Sequence, residues 1–253
     1  MTKFHLVQSD LVWEHIDANL EHLEHQISSI RSGAIILPEM FSTGFSMASA
    51  KLAESMTGKA VTWLTKQAIQ KQVYICGSII IEEDSRYFNR FVWVSPDGAL
   101  TTYDKRHLFR MAGEHHYYAA GTGQVQLSIN DMQLRPQVCY DLRFPGWNRN
   151  TTGYDVLVYV ANWPAARRQH WMTLLQARAI ENLSYVIAVN RVGKDGNDIE
   201  YVGDSCVIDP WGNYLLKMDA EERIGTVDLD LVSLRAYRES FPAHLDADTL
   251  DIK

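Results

Sequence analysis

What most constrains this chain is an alternation. Short runs of β-branched and aromatic residues take turns with longer segments whose apolar residues recur at helical spacing. Lys3–Gln8 (KFHLVQ) reads as a strand, and Asp17–Arg31 then sets Leu20, Leu23, Ile27 and Ile30 on one helical face. Ala34–Leu37 (AIIL) is a short apolar strand stopped by Pro38, whose ring fixes φ and removes a ladder donor. A helix over Lys59–Gln72 leads into a strand at Val73–Ile81, and further strands are expected at Asn89–Ser95, Leu100–Tyr103 and Gln124–Ile129. An Asn130-Asp131 turn connects the last of these to Met132–Cys139. Asp155–Val160 reads as a buried strand and Ala165–Leu183 as a helix, followed by strands at Tyr185–Asn190, Asp204–Asp209, Tyr214–Met218 and Arg223–Asp228. Strand–helix–strand units imply helices covering a sheet. The helix-free pairs at 89–103 and 124–138 add antiparallel neighbours, so a mixed-sheet, layered α/β fold follows. Periodicity leaves open whether the strands form one sheet or two. No composition shift or repeat marks a boundary, and one domain over 1–253 is the economical reading.

Charge narrows the partners. Acidic residues outnumber basic ones, 31 to 24, for a net charge of −7, which argues against nucleic acid or an anionic membrane as the main partner. No apolar run approaches the ~18 residues of a membrane span, and the first residues, MTKFHLVQSDLVW, lack the apolar core of a secretory signal. Three widely spaced cysteines, Cys76, Cys139 and Cys206, fit reduced thiols in the cytoplasm better than a disulfide framework. None belongs to a CxxC pair, so no structural zinc site is expected.

Cys139 stands where a strand ends and the chain turns into Tyr-Asp-Leu-Arg-Phe-Pro. A thiol at a strand end, facing a helix N-terminus, can be exposed and stabilised as thiolate, with the Tyr140 N–H beside it as an oxyanion donor. Cys76 and Cys206, inside apolar runs, read as packing residues. Glu39 follows an apolar strand and Pro38 in a segment poor in charge, where desolvation would suit a carboxylate to general-base work. Lys105 ends another strand in TTYDKRHLFR. Taken one at a time, these residues also fit a small core thiol, a loop glutamate and a surface lysine.

Three blocks settle the matter together: Leu37-Pro-Glu-Met-Phe41, Asp104-Lys-Arg-His-Leu-Phe109 and Val138-Cys-Tyr-Asp-Leu-Arg-Phe-Pro145. Their content, order and separation resemble the nitrilase superfamily of carbon–nitrogen hydrolases, from about Lys3 to Asp230. Ala161-Asn-Trp-Pro164 and Arg178-Ala-Ile-Glu-Asn182 resemble its omega-amidase branch most. The resemblance implies a four-layer α-β-β-α sandwich of two mixed sheets, no cofactor or metal, and a homodimer. It implies a Glu39–Lys105–Cys139 triad, with Glu114, seven residues before Gly121, orienting the lysine and the amide. The implied reaction is cleavage of the terminal amide of a small 2-oxo dicarboxylic acid monoamide through a cysteine thioester. Such a substrate needs a cation for its carboxylate, and arginine pairs with carboxylates in bidentate fashion. Arg110 and Arg167 are candidates, Arg143 is expected to be ion-paired structurally, and Tyr117 and Trp163 are candidate pocket walls. His115 and His116 read as loop residues. Rival readings are another amidase of the superfamily acting on a carbamoyl or other carboxamide, a catalytically silent binding homologue, and a redox sensor using Cys139.

Overall fold

The computed structural model describes residues 1–248. Strands β1 (Thr2–Gln8), β2 (Ala34–Ile36), β3 (Tyr74–Glu83), β4 (Arg86–Val94) and β5 (Leu100–Asp104) belong to the first of two six-stranded sheets. The second holds β6 (Leu127–Ile129), β7 (Met132–Val138), β8 (Val156–Ala161) and β9 (Tyr185–Asn190). A short pair, β10 (Val192–Lys194) and β11 (Glu200–Val202), forms its own ribbon. The chain then adds β12 (Cys206–Ile208) and β13 (Tyr214–Lys217) to the second sheet and returns to the first through β14 (Arg223–Leu229). The strand orders are β14-β1-β2-β3-β4-β5 and β13-β12-β9-β8-β7-β6. In each sheet three parallel strands are flanked by antiparallel ones: β1, β2 and β3 in the first, β7, β8 and β9 in the second.

Period-two alternation builds the layers. In the first sheet Ile35, Ile75, Val92 and Val94 pack with Leu20, Leu23, Val61 and Leu64 of the helices Ile16–Gln26 and Lys59–Lys71. Their strand neighbours Ala34, Ile36, Cys76, Phe91 and Trp93 point the other way, into one core with residues of β6 to β9 and β12. That core continues to Trp171, Leu175 and Ala179 of the helix Arg168–Asn182 and to Leu234 of the helix Leu231–Ser240. The order of layers is therefore helix, sheet, sheet, helix, and the question of one sheet or two is answered.

Some boundaries differ from expectation for local reasons. The first helix ends at Gln26, yet Ile27 and Ile30 still bury themselves through the following turn. The segment before Arg168 is a single 3₁₀ turn, Ala165–Arg167, and Leu183 ends the helix in a left-handed conformation. The β10–β11 ribbon was not expected. Its strands are three residues long, and Gly193 and Gly196 lie so close to Asp10 and Trp13 that an added Cβ would come within 2.3 Å of either. Its docking against the end of β1 is a tertiary event without a local signature.

Candidate functional site

Three of the expected residues follow strand ends on the same rim. After β2, the Leu37 N–H donates to Cys76 O at 2.7 Å and the Phe41 N–H to Ser78 O at 3.2 Å, stitching the turn onto β3. Gly77 makes room, because a Cβ there would meet the Phe41 ring at 2.6 Å. Within this turn Glu39 is fully buried. Lys105 follows β5, held by its own N–H to Asn89 O at 3.0 Å and by the Gly121 N–H to its carbonyl at 2.9 Å. Cys139 directly follows β7 with φ +44°, a left-handed conformation that turns the chain sharply into the 3₁₀ segment Cys139–Arg143. Asp141 fixes that turn: its carboxylate accepts from the Val138 N–H (3.0 Å), the Tyr103 hydroxyl (2.8 Å) and both the N–H (3.0 Å) and Nδ1 (2.8 Å) of His107. One buried carboxylate thereby ties the turn of Cys139 to that of Lys105.

Glu114 joins the same centre from the 3₁₀ turn Glu114–His116, where the Phe109 N–H donates to its Oε2. Lys105 Nζ donates to Glu39 Oε1 (2.9 Å) and to both oxygens of Glu114 (2.9 and 3.0 Å), and all three side chains are shielded from solvent. Glu39 Oε1 also accepts from Asn89 Nδ2 at 2.7 Å, and Oε2 from the Asn162 N–H at 2.8 Å. Cys139 Sγ lies 3.9 Å from Asn162 O. Burial alone would lower the Lys105 pKa, but Glu114 and then Glu39 outweigh it and hold the ammonium above its ordinary value. Burial pushes the Glu114 carboxyl up, with Lys105 opposing and Glu39 adding to the rise.

The expectation of an exposed Cys139 thiol stabilised as thiolate by a helix N-terminus is corrected. Cys139 is only 8% exposed, and burial, reinforced by the Glu39 charge, drives its thiol well above the ordinary range despite Lys105. The segment behind it is a short turn rather than a long helix, so no large dipole offsets that burial. Burial and the Glu39 charge keep the proton on the sulfur, which lies 3.9 Å from Asn162 O. A thiol in this state acts as a nucleophile only with a base beside it.

A cavity of about 520 Å³ opens onto Cys139, Tyr140 and Asn162. Trp163 and Arg167 line it, as does Arg143, whereas Arg110 and Tyr117 lie outside its lining. The expectation of an ion-paired Arg143 fails, because Asp141 is taken by His107 and Tyr103. Arg143 instead meets His170 Nδ1 at 2.9 Å and lies over the Trp163 ring. Arg167 sits over Phe109 and contacts Met111 Sδ. The ribbon adds Asp195, Asn197, Ile199 and Tyr201 to the wall. Sequence reading missed Asn89 and Asn162. For Asn89 the available signal was an asparagine two residues before Phe91 on an otherwise apolar strand face, and for Asn162 its place in the Ala161–Pro164 block. Cys76 and Cys206 are fully buried in the core, as expected of packing residues.

Comparison with known proteins agrees in extent and shape. The profile of the carbon-nitrogen hydrolase family matches residues 6–239. The chain is 48% identical over 251 residues to omega-amidase YafV of Escherichia coli K12, covering 97% of this chain and 96% of that one. It is 35% identical over 247 residues to the 2-oxoglutaramate amidase of Bacillus subtilis, covering 95% of each. Among solved structures, XC1258 of Xanthomonas campestris, a CN-hydrolase superfamily protein with an arsenic adduct in its active site, superposes with a TM-score of 0.97. That pair shares 41% identity, with 100% and 99% of the two chains covered.

Proposed function

This chain belongs to the carbon-nitrogen hydrolase family, a hydrolase of linear amides, and from that premise we propose that it cleaves the terminal amide of 2-oxoglutaramate, giving 2-oxoglutarate and ammonia. The observation that carries the substrate class is the pair of guanidinium groups, Arg143 and Arg167, in the same cavity as the thiol. The carboxylates of the same wall are engaged elsewhere, Glu14 by Ser46 and Lys51 and Asp195 by Asn197, Ile199 and Tyr201, so the two cations suit a small amide that ends in a carboxylate. The names of the relatives from Escherichia coli and Bacillus subtilis support the same reading.

The buried cluster supplies the chemistry. Glu39 takes the thiol proton as Sγ attacks the amide carbon. The Lys105 ammonium and the Tyr140 N–H stabilise the resulting oxyanion. Glu39 returns the proton to the leaving nitrogen as the C–N bond breaks, releasing ammonia and leaving a Cys139 thioester. Water enters, Glu39 takes its proton, and the second tetrahedral intermediate collapses to free thiol and 2-oxo acid. Glu114 keeps Lys105 aimed through two hydrogen bonds. A thiol that rests protonated fits this sequence, in which the base is a carboxylate rather than a histidine.

The same reading makes the chain one catalytic domain acting on a small molecule in the cytoplasm, as a homodimer and without nucleic acid or membrane as partner. No helix among the described residues is long and apolar enough to cross a membrane. The test is ammonia release from 2-oxoglutaramate, with glutamine, asparagine, an N-carbamoyl amino acid and a simple nitrile in parallel, each against Cys139→Ala. Preferential turnover of 2-oxoglutaramate that disappears in the variant is expected. Equal rates in Cys139→Ala, or preference for another compound, would overturn the assignment.

A further inference from the structure

One polar side chain in the buried centre has no part in the steps above. Asn89 stands in the middle of β4, faces inward with Phe91 and Trp93, and is fully buried. Its Nδ2 donates to Glu39 Oε1 at 2.7 Å and approaches Glu114 Oε1 at 3.4 Å, the two oxygens that Lys105 also contacts. Its Oδ1 is buried with no hydrogen-bond partner. A rotated amide would press that oxygen against two carboxylates, so the charges fix the orientation. A buried acceptor left unpaired is costly, and its persistence calls for a reason.

Counting lone pairs supplies one. A carboxylate oxygen accepts two hydrogen bonds. Glu39 Oε1 has both, from Lys105 and Asn89. Oε2 has one short bond, from the Asn162 N–H, with Asn162 Nδ2 only at 3.5 Å. The more weakly engaged oxygen is Oε2, beside the residue whose carbonyl lies 3.9 Å from Cys139 Sγ.

We infer that Asn89 is a positioning residue that, by occupying Glu39 Oε1, assigns Oε2 as the atom that takes the thiol proton. The inference rests on Glu39 as the base. Without the amide donor, Oε1 regains an acceptor site, the carboxylate can rotate, and the proton has two competing destinations. Lys105, Glu114 and Cys139 face Glu39 from the other elements, with Tyr118 near enough to feel its charge. None of them replaces the lost donor, because Lys105 already serves both carboxylates.

The experiment compares Asn89→Leu, of similar volume, and Asn89→Ala with wild type, measuring ammonia release from roughly pH 5 to 9 alongside melting curves and Cys139→Ala. The expected result is kcat lowered about 10- to 100-fold with KM within about twofold. A folded Asn89→Leu with wild-type kcat, or with KM raised as much as kcat falls, would overturn the inference. A loss that tracks only the fraction of folded enzyme would overturn it too by making the role merely structural. If the leucine variant fails to fold, the alanine variant decides by the same criteria. Activity surviving in Cys139→Ala would instead overturn the triad itself, so the two failures are separable.

Discussion

Replacing Lys105 by methionine removes the single cation between two buried carboxylates and keeps the stem's volume. At about 3 Å and an effective dielectric of 20, each contact contributes roughly 6 kcal/mol of Coulomb attraction. Much of this only offsets the cost of burying the three charges. What remains after one partner is deleted is a loss of about 3–5 kcal/mol, because charge is left buried and unpaired. For a chain this long, that corresponds to a melting temperature lower by on the order of 10 °C.

The pH dependence makes this prediction specific. Burial already holds the Glu114 carboxyl above its ordinary value with Lys105 opposing, so deleting Lys105 raises it further. A folded pKa above the unfolded value of about 4.3 gives stability that is full below that value and lost as pH rises through the folded pKa. The deficit of Lys105→Met should therefore be small near pH 5 and grow toward pH 8. In wild type, the Lys105 pKa is itself raised, so its contribution is full below the ordinary lysine range and flat across that window. Thermal melts of both proteins across this range are the assay. Melting temperatures that agree at every pH would refute the reasoning, and so would a deficit larger at low pH than at high.

Two more outcomes follow from the geometry. Arg143→Ala and Arg167→Ala should each raise KM for 2-oxoglutaramate by about tenfold or more while leaving an uncharged amide such as propionamide unaffected; equal effects on both substrates would remove them from carboxylate recognition. A Cβ on Gly121 would come within 2.1 Å of Asp104 O, a backbone atom beside Lys105. Gly121→Ala should therefore cost about 1–3 kcal/mol, visible as a lowered melting temperature, and reduce kcat as the lysine shifts.

The sequence by itself determined the layer type and singled out the candidate catalytic groups, each for a local reason. Short β-branched and aromatic runs such as Ala34–Leu37 and Asn89–Ser95 declare strands, whose side chains must point to opposite sides. Glu39, Lys105 and Cys139 were legible because each combines an unusual residue type with a strand end, inside motif blocks of fixed order. Glu114 was legible only through its distance from Gly121. Tertiary structure alone decided what surrounds them. Arg143 could not be distinguished from a structural ion pair until Asp141 was seen to spend its oxygens on Tyr103 and His107, residues more than 30 positions away. Asn89 reads as one polar residue in a strand until packing sets it against Glu39, 50 positions earlier. The thiol's protonation was likewise beyond sequence, since it depends on burial and on the sum of nearby charges. These are pairings between chain segments far apart in sequence, fixed by how the two sheets stack, and no local pattern carries that information.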